Sequence, residues 1–162
     1  MCKKNVVMLS ALLVIGAAMP LFVQTGQGAD QAADQAADSG GQHAYHDHLP
    51  PGPLPTTRNP AEFENNRAAF VTYTLAARIR KILYQEPCFC PCHEKEGHQS
   101  LLDCFAGNHG LSCYLCKQEV IYCYEQHRSG KSAHDIRKGL MKREWSKVDV
   151  NKYVQGLPAS WH

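Results

Sequence analysis

The sequence lacks the signatures of the common catalytic families: no G-x-S-x-G nucleophile turn, no H-E-x-x-H, no phosphate loop and no convincing pair of carboxylates. It also lacks an excess of charge. The 17 Lys and Arg outnumber the 15 Asp and Glu only through Lys3 and Lys4 of the leader. With no basic patch, nucleic acid is excluded as a partner. The apolar content is inflated by the first stretch, up to Val23, so the rest of the chain can bury only a modest core. What the sequence has in quantity is cysteine, eight in all, and six of these fall between positions 88 and 116.

Residues 1–29 read as a secretory signal peptide: a basic Met1-Cys2-Lys3-Lys4 start, an apolar run from Val6 to Val23 broken by Gly16 and Pro20, then small and polar residues to Ala29. The competing reading is an uncleaved N-terminal membrane anchor, since the run is just long enough to span a bilayer. A membrane enters only through this segment. The protein is expected to be exported, to the periplasm or another extracytoplasmic site, and Cys2 to leave with the signal. Seven cysteines then remain, an odd number that no complete internal disulfide framework can use up. Thiols outside the cytoplasm are either oxidised or protected by a ligand.

Residues 30–58 are expected to form a flexible linker rich in Ala, Asp and Gln, then His, then Pro. The repeat from Asp30 to Asp38 has nothing large to bury, and Leu49 to Pro55 forms a polyproline-like spacer. Between them His43, His46 and His48 flank Asp47. That cluster is either an auxiliary site for Cu(II), Ni(II) or Zn(II) or a solvated polar stretch.

The folded part is expected over 59–150, with a tail over 151–162. Asn59-Pro60 opens a helix, and Phe63, Phe70, Tyr73, Ala77 and Ile82 predict one long helix over 60–84, ended by Glu86-Pro87. Ser100 is expected to cap a short helix or turn over 100–105, and 107–110 to form a turn. A second long helix is predicted over 111–128, carrying Cys113, Cys116, Val120, Cys123 and His127 on one stripe. Ser132 and Asp135 have capping-box spacing for a third helix, with Ile136, Leu140, Met141 and Trp145 on its apolar face. The expected fold is therefore all-α: a small domain of about three helices with an irregular Cys-rich loop, preceded by a signal peptide and a disordered linker.

The loop Pro87-Cys88-Phe89-Cys90-Pro91-Cys92-His93 carries the chemistry. In an extended chain, residues two apart point the same way, and prolines before and inside the run disfavour helix. Cys88, Cys90 and Cys92 can thus converge on one side. A disulfide between Cys(i) and Cys(i+2) is strained, since well-formed bridges want Cα atoms roughly 5.5–6 Å apart. Together with Cys104 and the Cys113-x-x-Cys116 pair, the pattern favours a metal. Soft sulfur selects Cu(I), and Zn(II) takes four such ligands. The expected ligands are Cys88, Cys90, Cys92, Cys104, Cys113, Cys116 and His98, with His93, His109, Cys123 and His127 as auxiliary candidates. The blander readings are loop histidines at 98 and 109, a hydrogen-bonded His127, and a Cys123 that simply fills core.

The principal alternative is a thiol–disulfide redox or redox-sensing domain working through Cys113 and Cys116, placed near a helix N-terminus where a thiol pKa can fall. A disulfide-stapled structural module is the third reading. Haem attachment is disfavoured. Cys113-x-x-Cys116-Lys117 resembles a variant of the CxxCH motif with Lys for His, but Cys90-Pro91-Cys92-His93 has one residue too few and no second complete motif occurs.

These residues carry a family resemblance. The chain from Pro87 to Lys131 resembles the PCYCGC-motif, or CYCXC, family of exported bacterial proteins. The likeness lies in Pro87-Cys88-Phe89-Cys90-Pro91-Cys92, Gly97-His98, Ser100 to Phe105, His109-Gly110, Cys113-x-x-Cys116 and Gly130-Lys131-Ser132, and is expected to reach back through 60–84. Phe89 stands where the motif has Tyr and Pro91 where it has Gly; both changes spare the thiols, and Pro91 stiffens the loop. Some members of the family look like lipoproteins, and some have selenocysteine at Cys positions. The resemblance thus implies export and either redox chemistry or soft-metal ligation, without choosing between them. Read as a whole, the sequence describes an exported copper- or zinc-binding protein, more a binder than an enzyme, whose partner is the metal ion and, further, a metal-delivery or thiol-redox protein.

Overall fold

The computed structural model describes residues 43–161; the expected signal peptide, Cys2 and the Asp30–Asp38 repeat lie outside the described residues. Among the described residues the structure is helical, with no strand. The three longest helices are α1 (Arg67–Arg78), α6 (Tyr114–Arg128) and α7 (Ala133–Met141). Five short ones join them: α2 (Arg80–Tyr84), α3 (Cys92–Glu96), α4 (Asp103–Ala106), α5 (His109–Ser112) and α8 (Val150–Gln155). Among the described residues, no helix is long and apolar enough to cross a membrane.

The expected helix over 60–84 is broken twice. Asn59 does form a capping box with Glu62, but the chain makes only a 3-10 turn, Pro60–Phe63. Asn66 then starts α1 afresh, its side chain accepting the Ala69 N–H at 3.1 Å. The restart falls where the apolar positions stand seven apart, from Phe63 to Phe70, a spacing that keeps the helical phase and so hides the break. The second break is at Ile79, whose backbone (φ −121°, ψ 30°) leaves the helical region and turns the chain into α2. The face of α1 that carries Ala69, Thr72, Tyr73 and Ala76 is fully buried. Tyr73 donates from its hydroxyl to the Gly107 carbonyl at 2.8 Å, tying α1 to the turn before α5.

The second long helix also divides. Cys113 is extended (φ −82°, ψ 112°), separating α5 from α6 and serving as the N-cap of α6. At α4 the expected roles reverse: Ser100 is buried with an unpartnered hydroxyl, and Asp103 reaches back to accept the N–H groups of Gln99 and Ser100 at 2.7 and 3.0 Å. The third helix starts as expected, with Ser132 Oγ accepting the Asp135 N–H at 3.2 Å. It ends at Met141, and Trp145 lies in the following 3-10 turn, its indole N–H donating to the Leu140 carbonyl at 3.2 Å. The weakly patterned tail contains α8, capped by Asp149, with Val150 and Val154 buried.

The core lies between α1 and α6, with α7 and α8 closing its sides. Residues 43–58 contain no helix or strand, in keeping with their proline content, and several of them pack on the helical domain. His46 stacks on Tyr84 at 4.0 Å between ring centres, and Arg137 pairs with Asp47 at 2.9 Å while covering the Tyr45 ring. Near the end of the segment the Arg58 N–H donates to the Phe105 carbonyl at 2.9 Å.

Candidate metal centre

Four elements bring the thiols together. The loop after α2 supplies Cys88 and Cys90, the first turn of α3 supplies Cys92, α4 supplies Cys104, and the start of α6 supplies Cys113 and Cys116. The loop is tied to its surroundings by backbone bonds: Leu101 N–H donates to the Glu86 carbonyl at 2.8 Å and Leu102 N–H to the Leu83 carbonyl at 3.2 Å. On the other side Glu119 of α6 accepts the Phe89 N–H at 2.9 Å, holding the middle of the C-x-C segment against the helix. Cys88, Cys90, Cys92, Cys104 and Cys116 are all buried, and Cys113 is half-buried.

The sulfurs are close but not bonded. Cys88 and Cys90 Sγ are 3.2 Å apart, Cys88 and Cys116 3.6 Å, Cys90 and Cys116 3.7 Å, and Cys92 and Cys104 3.7 Å. A disulfide requires about 2.05 Å. Two thiolates on one tetrahedral zinc, each at about 2.3 Å, lie about 3.8 Å apart. Three donor sets result, each with its ligand atoms within 4.8 Å of one another: Cys88, Cys90, Cys92 and Cys104; Cys90, His109, Cys113 and Cys116; and Cys88, Cys116 and Glu119. This buried cluster has the donors and the spacing to hold a metal ion.

Two imidazoles meet the sulfurs, and one carboxylate orients both. His109 Nε2 is 3.3 Å from Cys90 Sγ, while its Nδ1–H donates to Glu96 Oε1 at 2.7 Å. His98 Nδ1 is 3.4 Å from Cys104 Sγ, and its Nε2 lies 3.4 Å from Glu96 Oε2. A carboxylate behind a histidine fixes the tautomer and raises the basicity of the ring nitrogen that faces the metal position. Gly97, at φ 71°, ends α3 between Glu96 and His98 in a left-handed conformation that favours glycine, turning His98 back toward the carboxylate.

The thiols ionise as a group. Hydrogen bonds from Cys116 and Cys88 pull Cys104 down to about 3, and those from Cys104, Cys113 and Cys116 hold Cys90 far below the ordinary thiol range. Cys88, Cys92 and Cys116 are correspondingly pushed up as the proton-bearing partners, chiefly through Cys104. His98 is raised by its bond to Cys104. For His109 burial pulls down, but the bonds to Cys90 and Glu96 together outweigh it. Lys117 donates to the Leu111 carbonyl at 2.7 Å; burial lowers its pKa, while Cys113 and Cys116 favour its charged form. Glu119 is fully buried, and burial holds its carboxyl well above the ordinary range against the pull of the Phe89 N–H.

The six expected cysteine ligands are therefore together, and His109 joins them as a member of a four-donor set. His98 stands beside Cys104, outside the three sets. Cys123 is fully buried in the face of α6 that packs into the core and joins none of the sets, and His127, at the far end of that helix, is exposed. The side chain of His93 lies outside the described residues. His43, His46 and His48 join no donor set: His43 packs on Phe89 with ring centres 4.2 Å apart, His46 stacks on Tyr84, and His48 is exposed. Glu96 and Glu119 were missed by the sequence reading. Glu119 follows Cys116 by three residues on one helix, a spacing that puts both on the same face.

A family model described as a protein of unknown function with PCYCGC motif matches residues 17–148. The chain belongs to this PCYCGC-motif family. The match is far longer than the motif region: it takes in the linker, α1 and most of the helical domain, so membership rests on the whole architecture. No curated protein and no solved structure matches the chain significantly. In this member of the PCYCGC-motif family, the cysteines of the motif form one group with Cys104, Cys113 and Cys116.

Proposed function

We propose that the protein is an exported binder of a thiophilic d10 ion, Zn(II) or Cu(I), which it captures, stores or delivers outside the cytoplasm. The observation that carries this reading is Cys90. Its sulfur belongs both to the four-thiol set with Cys88, Cys92 and Cys104 and to the three-thiol, one-histidine set with His109, Cys113 and Cys116. A thiolate shared between two four-donor sets is suited to bridge two ions. Sulfur selects Cu(I), while sets of four with a histidine are of the kind that hold structural Zn(II).

Anaerobic titration of the reduced chain with Zn(II) and with Cu(I), against a competing chelator, tests this. The wild type is expected to bind more than one ion tightly, and Cys90→Ser, which removes the shared sulfur, to bind fewer. A Cys90→Ser protein that binds as much metal as the wild type overturns the proposal.

The redox alternative has one observation of its own: Cys113, at the N-terminus of α6, is the only cysteine among the described residues that is not buried. Against it, neither Cys113 nor Cys116 has the lowered pKa of a working dithiol. Cys116 is raised by its bonds to Cys104 and Cys113. In Cys113 the bond from Cys116 pulls down but is outweighed by Cys90 and by burial. A reversible dithiol–disulfide couple in a glutathione redox titration without metal would favour the redox reading.

A further inference from the structure

The three donor sets share their sulfurs in a particular way. Cys88 belongs to the first and third sets, Cys90 to the first and second, and Cys116 to the second and third. These three shared sulfurs form a triangle with edges of 3.2, 3.6 and 3.7 Å. The remaining donors sit outside the triangle, each in one set only: Cys92 and Cys104 in the first, His109 and Cys113 in the second, Glu119 in the third.

From this we infer that the centre is trinuclear, with Glu119 as a metal ligand. Cys88, Cys90 and Cys116 are the bridging sulfurs of a six-membered ring of alternating metal and sulfur, and the other five donors are terminal. The inference deepens the proposed function and rests on it.

Glu119 supplies the independent support. It is fully buried; Oε1 accepts the Phe89 N–H, and Oε2 has no hydrogen-bond partner. A carboxyl group placed so carries a desolvation cost unless something binds there. A metal ion held with the neighbouring Cys88 and Cys116 sulfurs satisfies that oxygen. Charge points the same way. Two divalent ions leave the six thiolates of the sets under-compensated by two charges, whereas a third ion with an ionised Glu119 leaves one. A buried site favours the smaller imbalance. The oxygen donor also selects the ion class, because carboxylate suits Zn(II) and not Cu(I). On loading, each ion takes the place of protons on the thiols and on the Glu119 carboxyl, and these pass to solvent with no change of oxidation state.

The test is native mass spectrometry of the full reduced chain after anaerobic reconstitution with Zn(II), beside the Glu119→Gln variant. Gln keeps the size of the side chain and an oxygen to accept the Phe89 N–H, but is a poor ligand. The wild type is expected to carry three zinc ions and E119Q two, with the same helix content by circular dichroism. If E119Q fails to fold, Glu119→Asp, which withdraws the carboxylate from the ring, is expected to carry two in its place. Two zinc ions in the wild type, or three in the folded variant, overturn the trinuclear centre and leave the metal-binding function standing. A wild type that binds no zinc and no Cu(I) overturns both.

Discussion

Glu96 touches two imidazoles at once, one oxygen on His109 Nδ1 at 2.7 Å and the other 3.4 Å from His98 Nε2. Removing its charge leaves every sulfur in place but loosens both rings. Glu96→Gln is therefore expected to weaken metal binding roughly 10–100-fold, the usual cost of losing an outer-shell carboxylate, as read by chelator competition. Glu86 presents a different case. It is fully buried with neither carboxyl oxygen hydrogen-bonded, and burial lifts its pKa from 4.5 to about 9 against the pull of Arg137, whose Nε pairs with Oε2 at 3.9 Å. The folded chain keeps a proton here that the unfolded chain loses near 4.5, so this contribution to stability is full at low pH and is lost as pH rises toward about 9. Glu86→Gln removes the linkage. Its stability relative to wild type, from urea unfolding at one fixed zinc concentration, is expected to climb by up to about 1.4 kcal/mol per pH unit through that window. A flat difference across pH would contradict the assignment. At this scale the thiols were legible, because C-x-C and C-x-x-C spacings encode direction. Glu96 was not, because nothing in its position along the chain says that it reaches two imidazoles, and the step of three from Cys116 to Glu119 gives a shared helix face but not its burial.

The elements were legible in kind more than in extent. Apolar periodicity places helices where α1, α6 and α7 lie, yet it runs unbroken through Ile79 and Cys113, where the backbone leaves the helix. These breaks serve the centre: the first redirects the chain into the cysteine loop, and the second separates the short helix that carries His109 from the long one that carries Cys116 and Glu119. The short helix α5 has little room for error. A Cβ on Gly110 would come within 2.8 Å of the Phe105 ring and 3.1 Å of the Cys104 carbonyl, on the same α4 that carries a sulfur of the four-thiol set. Gly110→Ala is thus expected to cost about 1–3 kcal/mol of stability, in the range of overpacked sites. It should also weaken the ion held by His109 more than an equally destabilising change far from the centre. Thermal unfolding and metal titration of the same variant separate the two effects. Gly130, left-handed at φ 89°, was readable as a helix stop, and Ser132 as the start of the next.

At the scale of the whole molecule the centre lies inside the core, not on its surface: Cys88, Cys90, Cys92, Cys104 and Cys116 are among the buried residues that pack with Leu83, Leu101, Leu102 and Phe105. Five unligated thiols crowded at 3.2–3.7 Å contribute little of their own, so metal loading, on the proposed function, would be coupled to folding. An ion present at a thousand times its dissociation constant adds about 4 kcal/mol, against a total of about 5–15 for an ordinary domain. Chelation is accordingly expected to lower the melting temperature sharply and to restore it when zinc is returned; a melting temperature indifferent to chelator would show that the sulfurs are structural core and nothing more.

The most direct test of the central claim, that the buried cysteines hold metal, is native mass spectrometry on protein purified anaerobically from its producing cells, with a thiol count on the same sample. The account predicts a mass raised by bound Zn or Cu and thiols that react only after chelation. A metal-free mass, lowered by about 2 Da for each disulfide and with few reactive thiols, would contradict it.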